Sequence, residues 1–343
     1  MTDNTWPTVD TELIDDVTLY SAKLIIPVTG PVIIDGAVAI HGDRVVHVGK
    51  RRWVLKALKQ EMTAHGTIHE RHWDGVLTPG LINAHTHLQY SGMVQVGQGT
   101  YDRFRAWELA FNEVYAEAQK TQPWKQWAED GARQMVESGT TAAADIVTDL
   151  DAAGALASQG MHGIAYWEVM GWHNAEWMEK GRTELIRQLR RMNEEQLPNL
   201  GISPHAPYTL ESEPFVDLPD IARQLNMRLH IHLAETPLEA GTYPPVLTTY
   251  SAADWSDHDW ESYRQLKEVG KGASAIQFVD QLGSLGPDVH IAHGVWANGE
   301  DRRILRQRGV GVALCPRSNR ITNTGKDAPV REYLEEGNLV SVG

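Results

Sequence analysis

The chain has 343 residues, 42% of them apolar, and a formal net charge of -14 from 31 basic and 45 acidic side chains. That length accommodates one large domain and a small one, and the acidic balance, with no Lys/Arg run, excludes a nucleic-acid surface. No apolar run reaches the ~18–20 residues of a membrane span, the first sixteen residues are acidic rather than leader-like, and the single cysteine, Cys315, excludes both an internal disulfide and a cysteine-based zinc site, which fits a reducing cytoplasm.

Residues 17–48 read as short strands, at 19–26, 32–40 and 44–49, with β-branched alternation punctuated by Asp35-Gly36 and Gly42-Asp43. This is a hairpin pattern, and residues 1–74 are expected to form a small N-terminal β-sandwich module. From residue 75 the pattern changes to apolar strands separated by amphipathic helical stretches such as 124–138, 182–195 and 301–308. Candidate strands end near His87, Asp145, Glu168, His205, His232, His293 and Cys315, and an eighth begins at Asn338 and is cut off at Gly343. Strands alternating with helices imply parallel βα units, and eight in series predict an α/β fold, a (β/α)8 TIM-type barrel over 75–343 whose last strand is incomplete. In such a barrel the catalytic side chains sit at the C-terminal ends of the strands.

Those ends carry the chemistry. In Pro79-Gly80-Leu81-Ile82-Asn83-Ala84-His85-Thr86-His87, two histidines lie two residues apart on an extended strand, so both imidazoles face one side. A His-x-His pair alone is as compatible with a surface loop as with half of a metal site. Further along, His232 ends a strand and Glu235 follows three residues later. Alone they would read as a core histidine and a helix-start acid; beside His85 and His87 they read as a ligand and a proton shuttle. His230 is then an inward-facing or a structural partner, with no assigned role. Ser203-Pro204-His205-Ala206-Pro207-Tyr208-Thr209 stiffens the turn that places His205 at the mouth, and Ala292-His293-Gly294 puts His293 at a strand end with space beside the glycine. Cys315-Pro316-Arg317-Ser318-Asn319 reads as a rigid turn presenting a guanidinium that either forks a substrate carboxylate or salt-bridges a neighbouring loop. Two long excursions, 89–121 and 239–272, are rich in aromatics that serve packing or build a pocket wall.

Taken together, these segments, with His232-Leu233-Ala234-Glu235-Thr236, resemble the amidohydrolase superfamily along essentially the whole chain, most like its deaminases of 6-aminopurine nucleosides. Leu88-Gln89-Tyr90 and the run from Leu314 to Arg320 look closer to the aminofutalosine deaminases of menaquinone biosynthesis than to the methylthioadenosine/S-adenosylhomocysteine deaminases. The resemblance implies one divalent metal, zinc or iron, held by His85, His87 and His232, with a fourth ligand, an Asp expected just after Gly343, outside this chain. It implies that Glu235 moves a proton from a metal-activated water to the purine, that His293 orients the attacking hydroxide at C6, and that His205 and Arg317 hold the substrate while ammonia leaves. The expected partner is a small-molecule nucleoside, and a homodimer is allowed for. A binuclear site would need a bridging lysine where His205 stands, so one metal is favoured. The competing readings are a chlorohydrolase-like or guanine- or cytosine-type member of the same superfamily and, from another class, an inactive metal-free binding protein.

Overall fold

The computed structural model describes residues 13–194, 197, 199–241, 270 and 272–343. The aromatic residues Tyr243, Tyr250, Trp255, Trp260 and Tyr263 of the second excursion lie outside them. Its contacts divide the chain into two compact units, Met1–Gly80 and Leu81–Gly343.

In the first unit, β1 (Ile14–Ile25), β2 (Ile33–His41), β3 (Arg44–Lys50) and β4 (Met62–Leu77) form a four-stranded sheet in the order β3-β2-β1-β4. The β1–β2 and β2–β3 pairs are antiparallel and β1–β4 is parallel. Gly42, at φ +57, makes the tight β2–β3 turn that the His41-Gly42-Asp43 run predicts. Of the sandwich expected here, the described residues contribute this one sheet. A helix, Arg51–Glu61, stands where the sequence reading expects only strand: it buries Val54 and Leu58, one turn apart, against Val17, Leu19, Ala37 and Ala39. Its apolar stripe is so short that charged neighbours mask the period.

In the second unit, the described residues form one eight-stranded parallel sheet: β5 (Leu81–Thr86), β6 (Thr140–Val147), β7 (His162–Val169), β8 (Leu200–Pro204), β9 (Arg228–Leu233), β10 (Val289–His293), β11 (Gly311–Leu314) and β12 (Leu339–Val342). Every strand pairs with its sequence neighbours, in order, as consecutive βα units require. The eighth strand is formed, pairing with β11 from Gly311↔Leu339 to Leu314↔Val342. The sheet curls until its first and last strands meet: a Cβ built on Gly343 would fall 2.9 Å from the Cβ of His85.

The alternation within β9 explains why the site sits where it does. Leu229, Ile231 and Leu233 point outward into a buried layer that includes Phe215, Leu218 and Ile221 of helix Ser212–Gln224. His230 and His232, on the other phase of the pleat, therefore point into the barrel. The helices between strands are closed by local chemistry as well as by packing. Before helix Gly299–Arg308, the Asn298 side chain accepts from the amides of Glu300 and Asp301 at 2.9 and 3.0 Å, and Asp301 answers by accepting from the Asn298 amide at 2.9 Å. Gly309, at φ +71, ends that helix and turns the chain into β11.

Candidate active site

The barrel strands bring His85, His87 and His232 together with one ligand nitrogen each, all within 4.8 Å of one another. Burial pushes every one of these imidazoles well below its usual range, with the neighbouring imidazoles adding to the effect, so they are neutral donors of a lone pair.

Hydrogen bonds decide which nitrogen is free. His230 Nδ1 is 3.1 Å from the carbonyl of His290, an acceptor only, so it carries the proton and its Nε2 is an acceptor. That Nε2 is 3.0 Å from His85 Nδ1, which must then be the protonated nitrogen of His85. The free lone pair of His85 is consequently on Nε2. His232 follows the same logic: Nδ1 donates to the carbonyl of His205 at 3.2 Å, leaving Nε2 free and 3.3 Å from His87 Nε2. Two neutral imidazoles aimed nitrogen to nitrogen, with a third free nitrogen nearby, fit a cation between them. His87 Nδ1 is buried without a partner among the described residues, and its ring stacks on Tyr90 with centroids 5.6 Å apart.

Cys315 sits near His85 and His293 but stays out of this donor set. Its thiol donates to the Ala313 carbonyl at 3.4 Å, and burial pushes it up to about 12. The donors are therefore imidazoles, as the one-cysteine composition requires.

Glu235 approaches from the loop after β9. Its Oε1 is 3.5 Å from His293 Nε2, and burial raises its carboxyl to about 8, in the range suited to a group that takes and returns a proton near neutral pH. Glu239 holds this loop in place. Its carboxylate accepts from the amides of Ala234 at 2.8 Å and of Glu235 and Thr236 at 2.9 Å each. Those bonds stabilise Ala234 at φ +54, a left-handed backbone that non-glycine residues seldom adopt. His293 is also left-handed, at φ +75, and its Nδ1 donates to Asn319 Oδ1 at 2.8 Å, so its Nε2 faces Glu235 unprotonated. Beside it Gly294, at φ +58, does not leave open space as expected; the Tyr333 hydroxyl fills it, donating to the Gly294 carbonyl at 2.9 Å.

His205 lies on the same wall, grouped with His232 and Glu168. Its Nδ1 is 2.8 Å from Thr209 Oγ1, whose own hydroxyl donates to the Ala206 carbonyl, so His205 also turns an unprotonated Nε2 outward. Arg317 is placed differently. Pro316 starts a helix, Pro316–Thr322, instead of a stiff turn, and Arg317 is exposed on its first turn. In the first excursion, Arg105 pairs with Glu108 at 2.8 Å.

Four groups that act on this site had no role in the sequence reading: His230, Asn319, Thr209 and Glu239. Two of them had a usable signal. His230 shares the pleat phase of His232, and Thr236-Pro237-Leu238-Glu239 has the Ser/Thr-x-x-Glu spacing of a capping box. Asn319 and Thr209 contribute through contacts that only the folded turns create. If His230 serves to fix the His85 tautomer, replacing it with Leu should lower divalent-metal affinity about 10- to 100-fold, the usual worth of such a supporting hydrogen bond. Competition titration against a chromophoric chelator measures this, and an unchanged affinity would refute the relay.

Comparisons with known proteins bear on the fold and the family. A protein called 5-methylthioadenosine/S-adenosylhomocysteine deaminase from Moorella thermoacetica is 29% identical over 331 residues, covering 93% of this chain and 67% of its own length. Other curated relatives are spanned less fully, 58% and 56% of the length of two of them. Among solved structures, a zinc-bound adenosine deaminase from Xanthomonas campestris superposes with a TM-score of 0.71 at 21% identity, over 97% of this chain and 69% of that one. Helicobacter pylori aminofutalosine deaminase does so at 0.72 and 19%, over 95% and 76%. At these identities the two structures bear on the fold alone. Residues 76–243, which run from the strand before the His85/His87 pair to beyond Glu239, match the Amidohydrolase family. The sequence match over residues 76–243, the barrel and the strand-end histidines together make the chain similar to the amidohydrolase family.

Proposed function

We propose that this chain carries the catalytic site of a metal-dependent hydrolase that removes the 6-amino group of an adenosine-type nucleoside. The observation that carries the reading is the convergence of three free imidazole nitrogens, from His85, His87 and His232, beside one buried carboxyl group, Glu235. The names of the curated relatives, among them a 5'-deoxyadenosine deaminase, supply the substrate class.

A divalent ion, zinc first given an all-imidazole donor set, would be held by His85, His87 and His232 and would acidify a water molecule. The remaining work falls to the side chains. Hydrolytic deamination adds water across the C6 position, so one proton must reach a ring nitrogen and another must leave with ammonia. Glu235 is the group placed to carry them, buried and close to neutral in its affinity for a proton. His293, with Nε2 unprotonated and Nδ1 tied to Asn319, accepts a hydrogen bond and orients the incoming oxygen. His205, fixed by Thr209, offers a second acceptor for a donor on the substrate.

The finer choice of aminofutalosine needs a cation for its carboxylate, and Arg317 lies exposed on the helix Pro316–Thr322, so the proposal is made for the nucleoside class. Zinc-loaded protein should release ammonia from at least one of adenosine, 5'-deoxyadenosine, methylthioadenosine, S-adenosylhomocysteine and aminofutalosine, measured by a coupled assay. Activity on none of them, with activity on a chlorotriazine or on guanine, would overturn it.

A further inference from the structure

Next to the histidine cluster lies a cavity of about 440 Å³. Tyr90, Phe111, Tyr115, Trp167 and Trp172 form much of its wall, and Glu168, at the end of β7, lines it on the side of His232. The Glu168 side chain is 4% exposed, and its Oε1 has no hydrogen-bond partner among the described residues. The nearest imidazole nitrogen, His232 Nδ1, is 3.9 Å away and already donates its proton to the His205 carbonyl.

A buried carboxyl group without a hydrogen-bond partner is costly and persists in folded proteins where a ligand or function completes it. The chemistry around it indicates which ligand. A second carboxylate, Glu184, also borders the cavity, while its one lining cation among the described residues, Arg187, is exposed. An anionic substituent would therefore find no buried cationic partner there, whereas an ammonium group would find a buried acceptor in Glu168.

We propose that this cavity receives the substituent on the far side of the substrate's ribose, and that Glu168 selects there a protonated amine. This rests on the nucleoside reading above and narrows it to substrates whose 5' end is cationic.

Three nucleosides of nearly equal size separate the cases: 5'-amino-5'-deoxyadenosine, 5'-deoxyadenosine and adenosine-5'-carboxylic acid, assayed with zinc-loaded protein and its Glu168→Gln variant. Expected is a kcat/KM for the amine about 10- to 100-fold above that for 5'-deoxyadenosine, the worth of one charge-assisted hydrogen bond, with the carboxylic acid poorest. In Glu168→Gln the amine-to-deoxy ratio should collapse towards one. A ratio that survives the substitution while both rates fall would make Glu168 a support for His232 and overturn the proposal. So would a wild-type enzyme without preference for the amine. If none of the three is deaminated while another adenosine-type nucleoside is, the preference for a 5' amine is refuted; if no adenosine-type nucleoside is deaminated, the nucleoside reading fails by itself, and calorimetry with phenethylammonium decides the cavity separately. Binding to the wild type that Glu168→Gln abolishes supports a cation site, and equal or absent binding refutes it.

Discussion

Glu235→Gln should lower turnover by about 10²–10⁴-fold, the usual contribution of general acid–base catalysis, while metal content stays near that of the unaltered protein. The amide keeps the shape of the side chain but can neither take nor return a proton. The carboxyl is buried, and its Oε1 faces His293 Nε2 at 3.5 Å, so no bulk water replaces it. The loop itself should hold, because Glu239 and not Glu235 collects the amides of Ala234, Glu235 and Thr236. Metal analysis and single-turnover rates on one preparation make the comparison. A variant that loses its metal but keeps its rate per bound ion would place Glu235 among the ligands and remove it from proton transfer.

The second large effect concerns metal removal. Stripping divalent ions with a chelator should abolish activity and lower the melting temperature, and returning zinc should restore both. At free zinc a thousandfold above its dissociation constant, linkage predicts about 4 kcal/mol of added stability. The cause is local: without a cation, His87 Nε2 and His232 Nε2 face each other at 3.3 Å, and His87 Nδ1 has no partner among the described residues. His87→Ala should erase the zinc-dependent rise in melting temperature, because one of three convergent nitrogens is gone. Scanning calorimetry with and without zinc reads this directly. A zinc-independent melting curve together with full activity in chelator would rule out the metal site.

What the sequence determined by itself was the order of elements and the identity of the donors. Apolar runs separated by helical patterns located all eight barrel strands to within a few residues, and Val289–His293 to the residue, because strands buried on both faces read as apolar runs with little ambiguity. The strand-end histidines were legible for the same reason: a polar residue closing an apolar strand stands out. Tertiary structure decided everything that depends on where a proton or a side chain goes. The free nitrogen of His85 is set by His230 and, through it, by a carbonyl on β10, a chain of contacts between positions 145 and 60 residues apart. The reach of Glu235 depends on Glu239 binding three amides, and the tautomer of His293 on Asn319. Arg317 shows the limit in the other direction. Its neighbours suggested a stiff turn into the pocket, but Pro316 is equally suited to begin a helix, and a helix carries the next side chain out to solvent. Glu168 makes the same point: its position at a strand end could be read along the chain, whereas its missing partner is a property of the space around it.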